Sequence, residues 1–152
     1  MENEELLHRV TLAAREAGAL LLDQLGRIQV ELKGAVDLVT EADRASERLL
    51  VQRLHEVLPE AAILAEEGSG TSGSGGFRWV IDPLDGTTNY AHQYPVFCVS
   101  IALEKSGVTE LGVVLDPTRD ECFTGRRGYG AFRNDQPIRV SATETLDAAL
   151  LV

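Results

Sequence analysis

Basic residues, cysteines and long apolar runs are all scarce in this sequence. Its 152 residues contain 24 acidic but only 14 basic side chains, which gives a formal net charge of −10. Proteins bind nucleic acids and anionic membranes through clustered Lys and Arg, so this balance argues against both kinds of partner. An acidic chain suits a protein that collects cations, although acidity more often serves solubility.

Only two cysteines are present, Cys98 and Cys122, and they lack the spacing of metal ligands. The N-terminus is acidic and helix-like, unlike a secretory signal, so we expect two free thiols in a reducing cytosol. No apolar run approaches the roughly 18 residues that a membrane span needs. We therefore expect a soluble, cytoplasmic chain with the length of one domain and 44% hydrophobic residues to build its core.

The first third of the chain has the pattern of two helices. Apolar residues at helical spacing, with Gly26 after the last of them, predict a helix over about 4–24. A second helix is predicted from Thr40, with a capping box over 40–43, to the stop at Pro59. Short strands are expected over 28–32 and 61–66. The residues that follow, 68–76, are almost purely Gly, Ser and Thr, which predicts a flexible surface loop.

From Phe77 onward the pattern is that of strands separated by tight turns. The predicted strands are 77–81, 96–104, 108–115, 121–124, 131–133 and 138–140. Their short connections indicate an antiparallel meander. The predicted fold class is α+β, with two N-terminal helices packed on an antiparallel sheet.

The last residues, Ala148–Val152, have the composition of a buried strand that is just beginning. We therefore expect the sequence to end inside a larger fold. An apolar edge at Leu150–Val152 is expected to pair with another chain, by aggregation or dimerisation.

The segment Trp79–Tyr90 carries the clearest chemistry. An apolar strand delivers Asp82, Pro83 favours a turn, and Asp85 follows, so that both carboxylates can point toward one place with the Leu84 carbonyl between them. Hard cations such as Mg²⁺ prefer oxygen ligands of this kind. The segment therefore predicts a metal site.

Gly86, Thr87 and Thr88 complete this segment. Gly86 has no side chain to obstruct a ligand, and the three amides are placed to open a helical turn that binds phosphate. Asp-Pro and Asp-Gly are also ordinary turn formers, so a purely structural role is the competing interpretation.

Two further segments carry acids. Glu66 and Glu67 end a predicted strand, where a solvated strand end is the simpler explanation. The segment Lys33–Asp43 leads into the second helix, where Thr40 and Asp43 are also expected to act as helix caps.

Together the three segments resemble the inositol monophosphatase family, a branch of the lithium-sensitive, magnesium-dependent phosphatases. The resemblance covers nearly the whole chain, including Gly112–Val114 and Gly128–Phe132. It implies the first layers of an αβαβα sandwich and hydrolysis of a small phosphate monoester. Members commonly dimerise, so a homodimer is also an expectation.

The resemblance implies specific metal ligands. Glu66, Asp82 and the Leu84 carbonyl would hold the first Mg²⁺, and Asp82 would bridge to a second ion that Asp85 also binds. Glu67 matches an acid that supports a further ion through water.

The resemblance also implies roles in catalysis. Asp43 and Thr87 match the pair that orients and deprotonates the attacking water, with Glu66 assisting. The Gly86 and Thr87 amides match the phosphate contacts, and we add Thr88 and Asp85 to the substrate-binding set. Lys33 and Asp37 match a mobile loop that closes over the metals.

Family members continue with a second half, which carries a Trp-Asp-x-x-Ala-Gly segment that this sequence lacks, since Trp79 is its single tryptophan. Three interpretations stay open. The chain is the N-terminal half of a phosphatase, spanning 1–152; it is a metal- or partner-binding module without turnover; or it is a plain α+β domain. His8 and His55 are expected on the surface, and His92 has no assigned role.

Overall fold

The computed structural model describes residues 3–27, 30–32, 38–66 and 70–150. Its helices are α1 (Asn3–Gln24), α2 (Glu41–Val57) and α3 (Thr87–Ala91), with a 3₁₀ turn at Leu146–Ala148. Its strands are β1 (Val30–Leu32), β2 (Leu38–Thr40), β3 (Ala62–Ala65), β4 (Phe77–Asp85), β5 (Cys98–Lys105), β6 (Val108–Asp116), β7 (Glu121–Arg126), β8 (Gly130–Arg133) and β9 (Gln136–Ile138). The predicted α+β class is confirmed. No helix in these ranges is long and apolar enough to span a membrane.

β1 and β2 form an antiparallel pair, and the other strands form one seven-stranded sheet in the order β3-β4-β5-β6-β7-β8-β9. The prediction of a purely antiparallel sheet is wrong at one pair, because β3 runs parallel to β4. Parallel neighbours require a crossover between them. The residues that connect the two strands include the Gly- and Ser-rich segment, whose composition carries no helical pattern.

The described part of that segment, 70–76, is held against β3. Thr71 and Ile63 exchange two backbone hydrogen bonds, of 3.0 and 2.9 Å, and the Ser74 amide donates to the Glu60 carbonyl at 3.1 Å. A Cβ atom on Gly73 would lie 2.2 Å from the Ala62 nitrogen, so only glycine fits there. The predicted surface position is confirmed for these exposed residues, and Thr71 lies along the outer edge of β3.

α1 and α2 cover one face of the sheet and form the core with it. α1 contacts α2, β5, β6 and β7, while α2 contacts β4. The fully buried large side chains include Trp79, Leu103, Val113, Leu21 and Leu50. Burial of each such side chain is worth about 1.5–3 kcal/mol, so this helix-covered face supplies most of the apolar stabilisation.

The opposite face of the sheet carries small and apolar residues with more exposure. Leu64, Val80, Ala102 and Gly112 are neighbours in the strand register. Leu64 is 52% exposed and Val114 on the same face is 38% exposed. This face contributes less to the core of the described chain than the helix-covered face does.

The predicted strand at the C-terminal end is not found over 148–150. Leu146–Ala148 forms a 3₁₀ turn, and the side chain of Leu150 is 90% exposed. An apolar run forms a strand only when a neighbouring strand pairs with it, and no strand among the described residues does so. Residues 151 and 152 lie outside the description.

Candidate active site

The motif lies in the last positions of β4, where the strand is irregular. Asp82 pairs with Ser100 and Asp85 pairs with Cys98, and the register shifts between these pairs. Between these two pairs, β4 contains one residue more than β5. An extra residue of this kind is a β-bulge. The predicted strand ended at 81, but the bulge lets pairing continue to Asp85. Bulges re-aim side chains, and this one directs both acids to one region.

The acidity of the Asp82 carboxyl is perturbed by its surroundings. Burial raises its pKa, as do the negative charges of Glu66 and Asp85 and a hydrogen bond with Glu66, to about 6. The Leu84 amide opposes this by donating to Asp82 Oδ1 at 3.2 Å. The structure therefore brings together three acids that the sequence separates into two segments.

These acids carry the oxygen donors that a hard cation prefers. In the described part of the chain, no Lys, Arg or His forms an ion pair with any of the three. The same part contains no set of three or more His, Cys, Asp and Glu side chains already arranged as a metal cluster. Mutual repulsion of unneutralised carboxylates opposes such an arrangement. The donors are all carboxylate or carbonyl oxygens, so the residues fit Mg²⁺ by their chemistry.

A second pair from distant segments lies beside the bulge. Thr87 Oγ1 is 3.0 Å from the Leu84 carbonyl oxygen and 3.4 Å from Asp43 Oδ1, so the single hydroxyl proton is shared between two acceptors. Asp43 lies in the first turn of α2 and is only 3% exposed. The hydroxyl of Thr87 thus connects α2 to the acidic bulge.

Gly86 makes the sharp entry into α3. Its φ of 94° is in the left-handed region, which favours glycine. A Cβ atom there would lie 3.0 Å from the Val96 oxygen and 3.3 Å from the Phe97 Cα. α3 begins at Thr87, and the first amides of a helix have no acceptor within the helix. The amides of Thr87 and Thr88 therefore stand next to the acids, where the sequence predicted phosphate contacts.

Sequence reasoning missed Ser46, which is fully buried on α2. Its hydroxyl donates to the Pro83 carbonyl at 2.8 Å. Ser46 follows Asp43 by one helical turn, so both side chains face the bulge. The sequence did contain a signal for Ser46. It is a polar residue at a position of α2 where the apolar stripe predicts an apolar side chain.

Two further side chains were missed. Cys98 Sγ lies 3.7 Å from Asp85 Oδ2, and burial together with that carboxylate raises the pKa of the thiol to about 12. Tyr90 donates to the Leu21 carbonyl at 2.7 Å, which ties α3 to α1. Both Cys98 and Cys122 are free thiols.

Several predicted residues lie away from this centre or outside the description. Lys33, Asp37 and Glu67 fall outside the described residues, and so does the Thr40 side chain. His8, His55 and His92 are exposed. Cavities of about 320 and 380 Å³ lie elsewhere and are lined by other residues.

Known proteins share this arrangement of sequence and fold. The Pseudomonas aeruginosa protein named Nus factor SuhB is 47% identical over 97% of this chain and 57% of its own length. The Synechocystis inositol-1-monophosphatase is 47% identical over 96% of this chain and 52% of its own length. The crystal structure of the Bartonella henselae extragenic suppressor protein suhB matches with a TM-score of 0.88 at 42% identity, over 91% of this chain and 55% of that one.

The chain thus spans about half the length of the curated relatives it matches. The sequence profile of the inositol monophosphatase family matches residues 2–152. With the profile, the sequence identities and the fold in agreement, the chain belongs to the inositol monophosphatase family.

Proposed function

We propose that this chain carries the metal-binding and water-activating part of a Mg²⁺-dependent hydrolase of small phosphate monoesters, such as inositol monophosphates. The observation that carries the proposal is the meeting of Glu66, Asp82 and Asp85 beside the Asp43–Thr87 pair. Close carboxylates without a cationic side-chain partner repel one another, and a bound divalent cation relieves that repulsion.

Glu66, Asp82, Asp85 and the Leu84 carbonyl would hold Mg²⁺ in this proposal. When bound, the metal neutralises phosphate charge and lowers the pKa of water. Asp82 is the central ligand, because its carboxyl is influenced by both other acids. The Leu84 carbonyl belongs to the bulge between Asp82 and Asp85, and Thr87 donates a hydrogen bond to it.

Asp43 and Thr87 would orient and deprotonate the attacking water. Thr87 Oγ1 accepts a hydrogen bond from the water while it donates its own proton to Asp43, which receives the proton. The near-complete burial of Asp43 keeps this carboxylate away from competing solvent. Glu66, which is exposed, would assist in activating the water.

The phosphate would be held by the entry to α3. Gly86 provides the left-handed turn that starts this helix, and the amides of Thr87 and Thr88 donate to the phosphate oxygens. Asp85 is exposed at the end of β4 and contributes to binding the rest of the substrate. The substrate is then a small phosphorylated molecule rather than a macromolecule.

The test is phosphate release from inositol 1-phosphate by this chain, with Mg²⁺ titrated and lithium added, alongside calorimetry of Mg²⁺ binding. Lithium-inhibited, Mg²⁺-dependent release is the expected result. The matched control is Asp147→Asn, which neutralises an exposed acid outside the site. Absence of both binding and release would contradict the proposal.

A second candidate is a metal- or partner-binding module without turnover. The similarity to the Pseudomonas aeruginosa protein named Nus factor SuhB favours this alternative, because that name describes a factor and not a phosphatase. Its signature is Mg²⁺ binding that Asp82→Asn abolishes, with no phosphate release at any Mg²⁺ concentration. The same pair of measurements therefore separates the two candidates.

A further inference from the structure

A cavity of about 380 Å³ lies at the end of the sheet opposite to the acidic bulge. It is lined by apolar residues, among them Leu6 of α1, Leu58 beyond α2 and Leu103 of β5. Phe77 at the start of β4 also lines it and precedes Asp82 by five positions, which is roughly 17 Å along the strand. The cavity is therefore distinct from the candidate active site.

Cationic side chains gather at this cavity although the protein as a whole is acidic. Arg127 lies 3.8 Å from Glu110 in an ion pair and donates to the Thr109 carbonyl at 2.9 Å. Lys105 and Arg126 form no ion pair with any described residue. Two cations without carboxylate partners thus line one cavity.

Each of these two cations lies over an aromatic ring. Lys105 Nζ is 5.3 Å from the centroid of Phe77, its cross-strand partner. Arg126 Cζ is 3.2 Å from the centroid of Tyr129. The rings hold both head groups in place and leave their charges without an anion.

Arg126 has an unmet hydrogen-bond donor. Its Nε is buried and has no acceptor among the described residues. The strand register explains why this donor is buried. On the helix-covered face, the successive cross-strand neighbours are Trp79, Leu103, Leu111 and Arg126. A guanidinium therefore occupies a position that is apolar on the three preceding strands. A buried donor without an acceptor is destabilising, so the placement of Arg126 here has a cost that no described residue offsets.

We infer that this cavity binds a small organic monoanion, with its acid group on Arg126 and Lys105 and its apolar body on the leucine- and phenylalanine-lined floor. The volume falls in the range of small-molecule sites. Glu60 and Glu110 also line the cavity and disfavour a polyanion, so a monocarboxylate fits better than a polyphosphate. The inference does not depend on the proposed phosphatase function.

The experiment is a fluorine NMR titration of the 152-residue chain with para-fluorobenzoate and, in parallel, with the neutral para-fluorobenzamide. Saturable binding of the benzoate is expected, with the benzamide at least about tenfold weaker. Arg126→Gln is expected to raise the Kd of the benzoate about tenfold, and Lys105→Gln to raise it severalfold.

The matched control is Arg15→Gln. Arg15 lines a second cavity of about 320 Å³ but is paired with Asp120 at 2.6 Å, so its loss should leave the benzoate Kd unchanged. Equal binding of acid and amide, or an unchanged Kd in Arg126→Gln, would overturn the inference. If Arg126→Gln fails to fold, the partly exposed Lys105 decides, and an unchanged Kd in Lys105→Gln overturns it.

Discussion

The two ends of the sheet carry opposite chemistry on the same strands. β4 and β5 are antiparallel, so Asp85 meets Cys98 at one end and Phe77 meets Lys105 at the other. Carboxylates gather at the first end and unpaired cations at the second. Between the ends, the helix-covered positions are needed for the core, and charged groups are costly there. The strand ends are therefore where functional charge is tolerated.

The two ends also differ in how they are held. Around the bulge, side chains of α2 and α3 bind the strand backbone, with Ser46 on the Pro83 carbonyl and Thr87 on the Leu84 carbonyl. At the cationic end, aromatic faces support the head groups. The acidic end is thus built by directional hydrogen bonds, which suits a site that must position ligands accurately.

The largest effect should come from Asp82→Asn. We expect it to weaken Mg²⁺ binding more than about 100-fold, because even the loss of outer-shell partners costs about 10–100-fold. Calorimetry gives the affinity. The thermal midpoint without Mg²⁺ should not fall, since the change removes repulsion from Glu66 and Asp85.

The same variant tests whether the two ends are independent. Para-fluorobenzoate binding should keep its wild-type Kd in Asp82→Asn. A coupled loss at both ends would mean that the substitution disturbs the whole sheet. Unchanged Mg²⁺ affinity would remove Asp82 from the proposed ligand set.

Gly86→Ala should destabilise the acidic end by about 1–3 kcal/mol, from the left-handed backbone and a clash with the Val96 oxygen. Urea denaturation measures the free energy of unfolding. Gly130→Ala is the matched control, because Gly130 has the same φ of 94° but nothing within 4 Å of its Cβ position. An equal loss of unfolding free energy in both variants would show that the close contact at Gly86 does not contribute to the destabilisation.

Ser46→Ala should cost about 1–2 kcal/mol in unfolding free energy, because it leaves the buried Pro83 carbonyl without its donor. It should also weaken Mg²⁺ binding severalfold if the hydrogen bond positions the bulge. Thr11→Ala is the comparison, since Thr11 donates only within its own helix, to the Leu7 carbonyl. A stability loss without any change in Mg²⁺ affinity would restrict Ser46 to a structural role.

The smallest effect concerns Asp116, at the end of β6 near the acidic end. Burial raises its pKa, but hydrogen bonds from Thr118 and Arg119 outweigh burial and hold the pKa below its ordinary value of 3.8. The stabilisation is therefore complete above that pH and is lost as the pH falls through the depressed pKa of the folded state. Unfolding measured against pH should show a shallower acid decline in Asp116→Asn and, in part, in Thr118→Ala. Identical acid profiles would contradict this assignment.

Much of the fold was predictable from local pattern. The boundaries of α1 and α2 followed from apolar spacing and from the stops at Gly26 and Pro59, and the hairpins from β5 to β7 followed from their turns. The parallel β3–β4 pair was not predictable, because the Gly- and Ser-rich sequence between the two strands carries no helical pattern. The C-terminal apolar run was misassigned because composition does not supply a pairing partner.

The sequence by itself determined the chemistry of the motif, since an acid, a proline, a second acid and a glycine in that order permit few arrangements. Only the tertiary structure decided which distant groups join it. The bulge in β4 set the direction of Asp82 and Asp85, the packing of α2 brought in Asp43 and Ser46, and strand register put Arg126 on an apolar face. Local preferences act over a few residues, whereas these contacts depend on how the whole sheet and its helices pack.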